Sequence, residues 1–139
     1  MSIVVAGASG GIGHALFKQL IHQPTKQVYA ISRQNLRERD LQADLSDPGQ
    51  IDNVREFLDH IQVSEIYCCA CVLHEDLNMP EKMLSQIRDE WIYKSLSQNV
   101  MTHVHLAQAL APILNKNYDL KWLSLSAKVG SLEDNSLGG

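Results

Sequence analysis

Three glycines near the N-terminus form the clearest chemical pattern in the sequence. Gly7, Gly11 and Gly13 lie in the stretch GASGGIG, directly after an apolar run over residues 3–6. Glycine tolerates positive φ and lets the backbone come close to a phosphate, and the N-terminus of a following helix attracts the anion. The spacing predicts a diphosphate-binding loop, with an ordinary tight turn as the alternative. The residues expected to form this loop are Gly7, Ser9, Gly10, Gly11, Ile12 and Gly13.

A second candidate position follows the next predicted strand. An acidic residue about 20 positions beyond the loop binds the ribose 2′-hydroxyl of NAD, whereas a basic residue accommodates the 2′-phosphate of NADP. Ser32 and Arg33 occupy this place. Because a guanidinium chelates phosphate, the pair favours NADP over NAD. A solvated surface arginine is the alternative, since further charged residues occur at positions 37–40.

Length and charge restrict the classes of partner. The chain has 139 residues, of which 45% are hydrophobic, which predicts a single domain over residues 1–139. Its 12 basic and 16 acidic residues are spread along the chain, so we expect neither nucleic acid nor a membrane surface as partner. The N-terminal residues contain no basic signal region and no long apolar run, which predicts a cytoplasmic protein without a membrane span.

The apolar patterns alternate between strand and helix periods. They predict strands over residues 3–6, 27–32, 41–44, 66–72 and 122–126, and helices after Gly11, from residue 50 to 61, and from about 91 to 114. Near-continuous apolar strands indicate a sheet covered on both faces. The fold class is therefore predicted to be α/β, with a Rossmann-like doubly wound parallel sheet in three layers.

Together these motifs resemble the short-chain dehydrogenase/reductase superfamily, and within it the C-factor-like and sniffer-like carbonyl reductases. The resemblance covers the whole chain and includes Asp44, Asn99 and the stretch CCACVLH. It implies a nicotinamide dinucleotide cofactor, with Asp44 bonding the adenine amino group and Leu45 beside the ring. An N-cap for the helix at Pro48 is the alternative for Asp44.

The sequence departs from this family at the end of the fourth strand. Cys68-Cys69-Ala70-Cys71 stands where the family commonly has Asn-Asn-Ala-Gly, so Cys69, Ala70 and Cys71 are the residues expected beside the cofactor. We expect reduced thiols that behave as small hydrophobes. Cys69 and Cys71 are expected on one face of the strand, which keeps a redox or metal role as an alternative. None of the six histidines is interpreted as a ligand, and no metal site is predicted.

The second departure concerns catalysis. The resemblance implies hydride transfer to a small carbonyl substrate, with a tyrosine as proton donor and a lysine that lowers its pKa. No Tyr-x-x-x-Lys pattern occurs, because the residues four positions beyond Tyr29, Tyr67, Tyr93 and Tyr118 are Arg33, Cys71, Ser97 and Trp122. The resemblance further implies that Asn99 bends its helix and holds a water, and that Ser131 or Ser126 polarises the carbonyl. Ordinary loop serines are the alternative for both.

We therefore expect the N-terminal part, or a naturally truncated product, of such a reductase, with the C-terminal strands and helices of the family missing. These residues alone are predicted not to turn over a carbonyl substrate. The alternative function is a non-catalytic nucleotide-sensing or signalling module of the C-factor type. Because the helix with Asn99 forms the subunit interface in the family, the resemblance implies a homo-oligomer.

Overall fold

Five parallel strands form one sheet in the computed structural model, which describes residues 2–72, 81–114, 119–127, 130 and 133. The strands are β1 (Ser2–Ala6), β2 (Gln27–Ser32), β3 (Leu41–Gln42), β4 (Val63–Cys68) and β5 (Lys121–Ser124). Their order across the sheet is β3-β2-β1-β4-β5, and every neighbouring pair is parallel. The predicted Rossmann-like doubly wound sheet is confirmed.

Within the described residues, four α-helices connect the strands and cover the sheet. They are α1 (Gly11–Leu20), α2 (Ile51–Ile61), α3 (Asp89–Leu96) and α4 (Thr102–Leu114), and short 3₁₀ turns lie at Pro48–Gln50 and Leu84–Gln86. A π-helical turn, Ser97–Met101, joins α3 to α4. None of the helices that the structure describes is long and apolar enough to cross a membrane.

Strand β1 lies at the centre of the sheet and contributes to a separate core on each face. Ile3 and Val5 pack in a cluster with Phe17 and Leu20 of α1. The alternate residues Val4 and Ala6 belong to a second cluster, which contains buried residues of α2 and α4. Because successive side chains of a strand point to opposite faces, the unbroken apolar sequence of β1 is explained by these two layers of helices.

Several predicted boundaries were wrong. Strand β4 begins at Val63 and ends at Cys68, whereas the apolar run predicted residues 66–72. Its polar start is accommodated because Ser64 donates from Oγ to the Ser2 carbonyl oxygen and Glu65 pairs with Lys26. Strand β3 has two residues where four were expected, and β5 runs from Lys121 to Ser124, not over 122–126. Periodicity identified these strands, whereas long-range pairing determined their ends.

Candidate functional site

The candidate site is a cleft at the carboxyl ends of β1 to β4. It has a volume of about 200 Å³. Its lining comes from Gly7, Ser9 and Gly10 of the glycine turn (residues 7–13), from residues 31–34, 43–46 and 69–71, and from Gln98 and Thr102. The chain proceeds outward from β1 to β2 and β3, and then returns to place β4 on the other side of β1. Ligands of open α/β sheets bind at the carboxyl edge beside such a change of direction.

The glycine turn requires glycine at two positions for steric reasons. Gly7 has a φ of +79°, and a Cβ built there would lie 2.6 Å from the Ala70 nitrogen. A Cβ on Gly13 would lie 2.2 Å from the Gly7 carbonyl oxygen. Any side chain at these positions would therefore push the turn away from α1 or from the segment after β4. Both glycines hold the turn close to its neighbours.

The other two glycines leave the start of α1 open. Gly10 is the N-cap of α1 and, among the residues that the structure describes, no side chain caps this end. A Cβ on Gly11 would meet nothing within 4 Å. The first turn of α1 contains no acidic side chain. The start of α1 thus has neither a capping side chain nor an acidic one beside the cleft, an arrangement that fits a diphosphate.

Arg33 lines the cleft directly after the end of β2. Its side chain is exposed, and it takes part in none of the ion pairs found among the described residues. Gln42 of β3 donates from Nε2 to the Arg33 carbonyl oxygen over 3.0 Å. The neighbouring Ser32 is buried, and its hydroxyl donates to the Gln34 carbonyl oxygen. Arg33 is therefore a cation available to a ligand, while Ser32 shapes the turn.

Three of the four charged residues at positions 37–40 have other partners. Arg37 donates from Nη2 to Asp40 over 2.6 Å and to the Val28 carbonyl oxygen over 2.8 Å, and its guanidinium lies 4.5 Å from the centre of the Phe17 ring. The guanidinium of Arg39 lies 5.6 Å from the centre of the Tyr29 ring. These contacts stabilise the loop between β2 and β3, and they distinguish Arg33 from the charges that follow it.

Asp44 lies in a turn that also lines the cleft. Its Oδ1 accepts hydrogen bonds from the Ser46 nitrogen at 2.9 Å and the Ser46 hydroxyl at 2.7 Å. The alternative in which Asp44 caps the helix at Pro48 is wrong, because Asp47 is that N-cap and accepts from the Gly49 nitrogen at 2.8 Å. Leu45, beside Asp44, is buried. The contact of Asp44 and Leu45 with adenine stays a prediction.

The three cysteines are free thiols with different surroundings. Cys68 is fully buried at the end of β4, where burial raises the pKa of its thiol to about 11. Cys69 is also buried, in the cluster with α1, and burial raises the pKa of its thiol as well. Cys71 is exposed and lines the cleft with Ala70. The expectation that Cys69 and Cys71 share a strand face is wrong, because β4 ends before both.

Asn99 lies within the π-helical turn and binds the segment after β4. Its Oδ1 accepts from the Val72 nitrogen at 2.6 Å, and its Nδ2 donates to the Val72 carbonyl oxygen at 2.8 Å and to the Ser95 hydroxyl at 3.1 Å. The amide side chain therefore substitutes for a neighbouring strand at Val72. Its predicted role in holding a water is a separate matter and stays a prediction.

The two candidate serines are not brought to the cleft by the described residues. Ser126 is exposed, two residues beyond β5, and is not among the lining residues. Ser131 lies outside the residues that the structure describes. Sequence reasoning missed Gln98 and Thr102, which line the cleft from the π-turn and the start of α4. Neither carries a recognisable motif, so only the packing of that helix against the sheet reveals them.

A buried histidine makes a further contact beside the cleft, which the sequence did not indicate. His105 of α4 is 6% exposed, and its Nδ1 lies 2.8 Å from the Leu45 carbonyl oxygen. Within residues 2–72, 81–114 and 119–127, no group of three or more His, Cys, Asp or Glu side chains is arranged to hold a metal ion. His105 thus contacts the backbone beside the cleft.

Comparison with known sequences gives one family. The sequence model of the NAD dependent epimerase/dehydratase family matches residues 3–93. This stretch contains the glycine turn, Arg33, Asp44 and the three cysteines. No curated protein sequence matches the chain significantly.

Solved structures of other proteins share the fold. Carbonyl reductase Sniffer of D. melanogaster is 18% identical with a TM-score of 0.78, and the alignment covers 99% of this chain and 66% of that one. An NADPH bound carbonyl reductase from chicken fatty liver is 18% identical with a TM-score of 0.75, covering 98% and 60%. A short chain dehydrogenase family protein from Francisella tularensis is 26% identical with a TM-score of 0.63, covering 80% and 45%.

The chain thus spans 66%, 60% and 45% of the lengths of these three structures. The fold is that of the short-chain dehydrogenases and reductases.

Proposed function

This chain belongs to the NAD dependent epimerase/dehydratase family, and we propose from that premise that it binds NADP(H) in the cleft at the carboxyl edge of its sheet. The open N-terminus of α1 receives the diphosphate. Arg33 binds the 2′-phosphate, and Asp44 and Leu45 contact the adenine. Ala70 and Cys71 lie beside the cofactor on the opposite wall.

The observation that carries this proposal is the place of Arg33. Its guanidinium is exposed at the cleft, whereas the nearby Arg37 is held by Asp40 and by the ring of Phe17. A guanidinium binds a phosphate through charge-assisted hydrogen bonds. No carboxylate follows β2 at positions 33–36 to repel the phosphate or to bind a ribose hydroxyl. This is the arrangement expected for NADP rather than NAD.

The reaction class that we propose for the protein is carbonyl and alcohol oxidoreduction. The cofactor, when bound, supplies the hydride for reduction of a small carbonyl compound. Asn99 holds the segment after β4 through Val72, and so keeps that wall of the cleft in place. Ser126 and Ser131 stay candidates for polarising the carbonyl. The 139 residues contain no Tyr-x-x-x-Lys pair, so we propose that they do not reduce a substrate by themselves.

Equilibrium binding tests the cofactor proposal. We expect the chain without substitutions, called the parent chain below, to bind NADPH at least about tenfold more tightly than NADH, since charge-assisted hydrogen bonds contribute about 1.5–3 kcal/mol. Arg33→Ala should remove that preference and leave the NADH affinity unchanged. Arg39→Ala is the matched control, because this guanidinium lies over Tyr29. Equal affinities of the parent chain for both cofactors, or equal loss of both in Arg33→Ala, would contradict the proposal.

A nucleotide-sensing or signalling module is the second candidate, and the missing Tyr-x-x-x-Lys pattern favours it. Its output would be contact with a partner, not a product. Incubation of the purified chain with NADPH and a panel of aldehydes and ketones tests this module. Steady NADPH consumption would exclude it and would also contradict our proposal that these residues do not reduce a substrate by themselves, whereas binding without consumption is the expected result.

We also propose self-association in the cytoplasm. Ile92, Leu96 and Val100 recur at intervals of four residues along α3 and the π-turn, and 40–50% of each is exposed. Such a row of apolar side chains is typical of a surface that is covered by a partner. Light scattering should give a mass that corresponds to two or more chains, and a monomer at micromolar concentration would contradict this.

A further inference from the structure

We propose that His105 is a positioning residue that fixes the adenine side of the cleft. The inference rests on the proposed function, because it concerns the affinity of that same site for the adenosine half of the cofactor. It starts from the hydrogen bond between His105 Nδ1 and the Leu45 carbonyl oxygen. The two residues are sixty positions apart in the chain.

The direction of this hydrogen bond follows from its partners. A carbonyl oxygen only accepts, so Nδ1 of His105 carries the proton and donates it. The ring is buried, and the other buried residues of α4 are Thr102 and four aliphatic side chains. An aliphatic residue at this position would leave the Leu45 carbonyl oxygen without this donor. The imidazole therefore supplies a hydrogen bond to the turn in addition to its packing.

The turn that His105 contacts has few other hydrogen bonds to distant parts of the chain. Strand β3 has only two residues, and the chain leaves it at Ala43, whose nitrogen donates to the Ser32 carbonyl oxygen over 2.9 Å. Asp44 then bonds Ser46 within the same turn. These bonds shape the turn, and the buried side chains of Ala43 and Leu45 pack it on the core with α2 and α4. Among the hydrogen bonds of the described residues, the bond from His105 is the one that fixes the backbone of the turn to α4.

The same helical segment holds two loop segments that border the cleft. Asn99, six residues before His105, binds the backbone of Val72 after β4. His105 binds the backbone of Leu45 after β3. Between them, Thr102 lines the cleft itself. The helix thus sets the separation between the wall beside β4 and the turn that we assign to adenine.

Two substitutions separate positioning from packing. His105→Leu introduces an apolar side chain of similar size and removes the donor. His105→Asn restores a donor, because the Asn amide nitrogen is as many bonds from Cα as Nδ1 is. Gln108→Leu, at an exposed position of α4, is the matched control. The probes are adenosine 2′,5′-bisphosphate for the adenosine half and inorganic pyrophosphate for the glycine turn.

We expect His105→Leu to weaken adenosine bisphosphate binding about tenfold, since a buried acceptor loses its donor. Pyrophosphate affinity should be unchanged, His105→Asn should recover most of the loss, and Gln108→Leu should match the parent. Amide hydrogen exchange should speed up over residues 43–47 in His105→Leu alone. Adenosine bisphosphate affinity within twofold of the parent, equal loss of both ligands, or no recovery in His105→Asn would overturn the inference.

Failure of the proposed function gives a different result. A parent chain that binds neither probe would refute the nucleotide site, and with it the role of His105 in binding. The exchange experiment would then still decide the attachment itself, because unchanged exchange over residues 43–47 in His105→Leu would show that the hydrogen bond does not hold the turn.

Discussion

The two sides of the cleft are built in different ways. On one side, the glycine turn is held by contacts between backbone atoms, and Gly7 and Gly13 are needed because a Cβ has no room. On the other side, the turn at Asp44 and the segment at Val72 are held by side chains of a distant helix, His105 and Asn99. The first side depends on the absence of side chains, and the second depends on particular polar ones.

This difference determines what each side tolerates. A close backbone contact fails with any added carbon atom, since the chain must shift as a whole. A side-chain hydrogen bond to the backbone fails only when the donor or acceptor is lost, and a substitute with the same group can replace it. We therefore expect steric substitutions to damage the glycine turn most, and polar-to-apolar substitutions to damage the helix-held side.

The largest effect is expected for Gly13→Ala. The new Cβ would lie 2.2 Å from the Gly7 carbonyl oxygen, so α1 and the turn must move apart. The free energy of unfolding should fall by about 3 kcal/mol, measured by urea denaturation. Gly11→Ala is the control, because its Cβ meets nothing within 4 Å and alanine is the better helix former by about 0.5–1 kcal/mol. Equal stability of the two variants would contradict the steric account.

A smaller loss of stability is expected for Asn99→Leu. The N–H and carbonyl groups of Val72 would lose their partners, at a cost of about 2 kcal/mol. Met101→Leu changes an exposed residue of the same π-helical turn at nearly constant volume and should stay within about 0.5 kcal/mol of the parent. If both variants unfolded at the same urea concentration as the parent, the amide of Asn99 would not be what holds this side.

The smallest expected effect is on the reactivity of the three cysteines, which lie where the segment after β4 meets the glycine turn. Alkylation of the native chain with iodoacetamide should add one group, at the exposed Cys71, and denaturation should allow three. Cys69 should be protected because it is buried against α1, and Cys68 because burial raises the pKa of its thiol to about 11. Cys71→Ser should take up none while folded. Rapid uptake of a second group would show that the contact between Cys69 and the glycine turn opens.

The contrast between the two sides also explains what the sequence predicted. Gly7, Gly13 and Arg33 lie close together in the chain, in an order set by strand, turn and helix. The structure places Gly7 and Arg33 at one cleft, with Gly13 packed against Gly7. The alternation of strands and helices likewise predicted a parallel doubly wound sheet, which the structure shows. These features are local, so periodicity and motif spacing were sufficient to find them.

Long-range partners were not accessible to the same reasoning. Asp44 and Asp47 are equivalent by type as caps for the helix at Pro48, and only the backbone path shows that Asp47 is the cap. The bond from His105 to Leu45 joins residues that share no motif. Strand β4 was predicted from its apolar residues, but its start at Val63 depends on pairing with Ser2. In each case the deciding partner is distant in the chain.

The central claim is that a nucleotide occupies the carboxyl edge of the sheet. The most direct measurement is a titration of the isotope-labelled chain with NADP⁺, followed by amide chemical shifts. The account predicts changes at Gly10, Gly11, Arg33, Leu45 and Cys71, with none at the open pocket on the amino edge that includes Lys26, His60 and Gln62. Changes confined to that amino edge, or none at saturating NADP⁺, would contradict it.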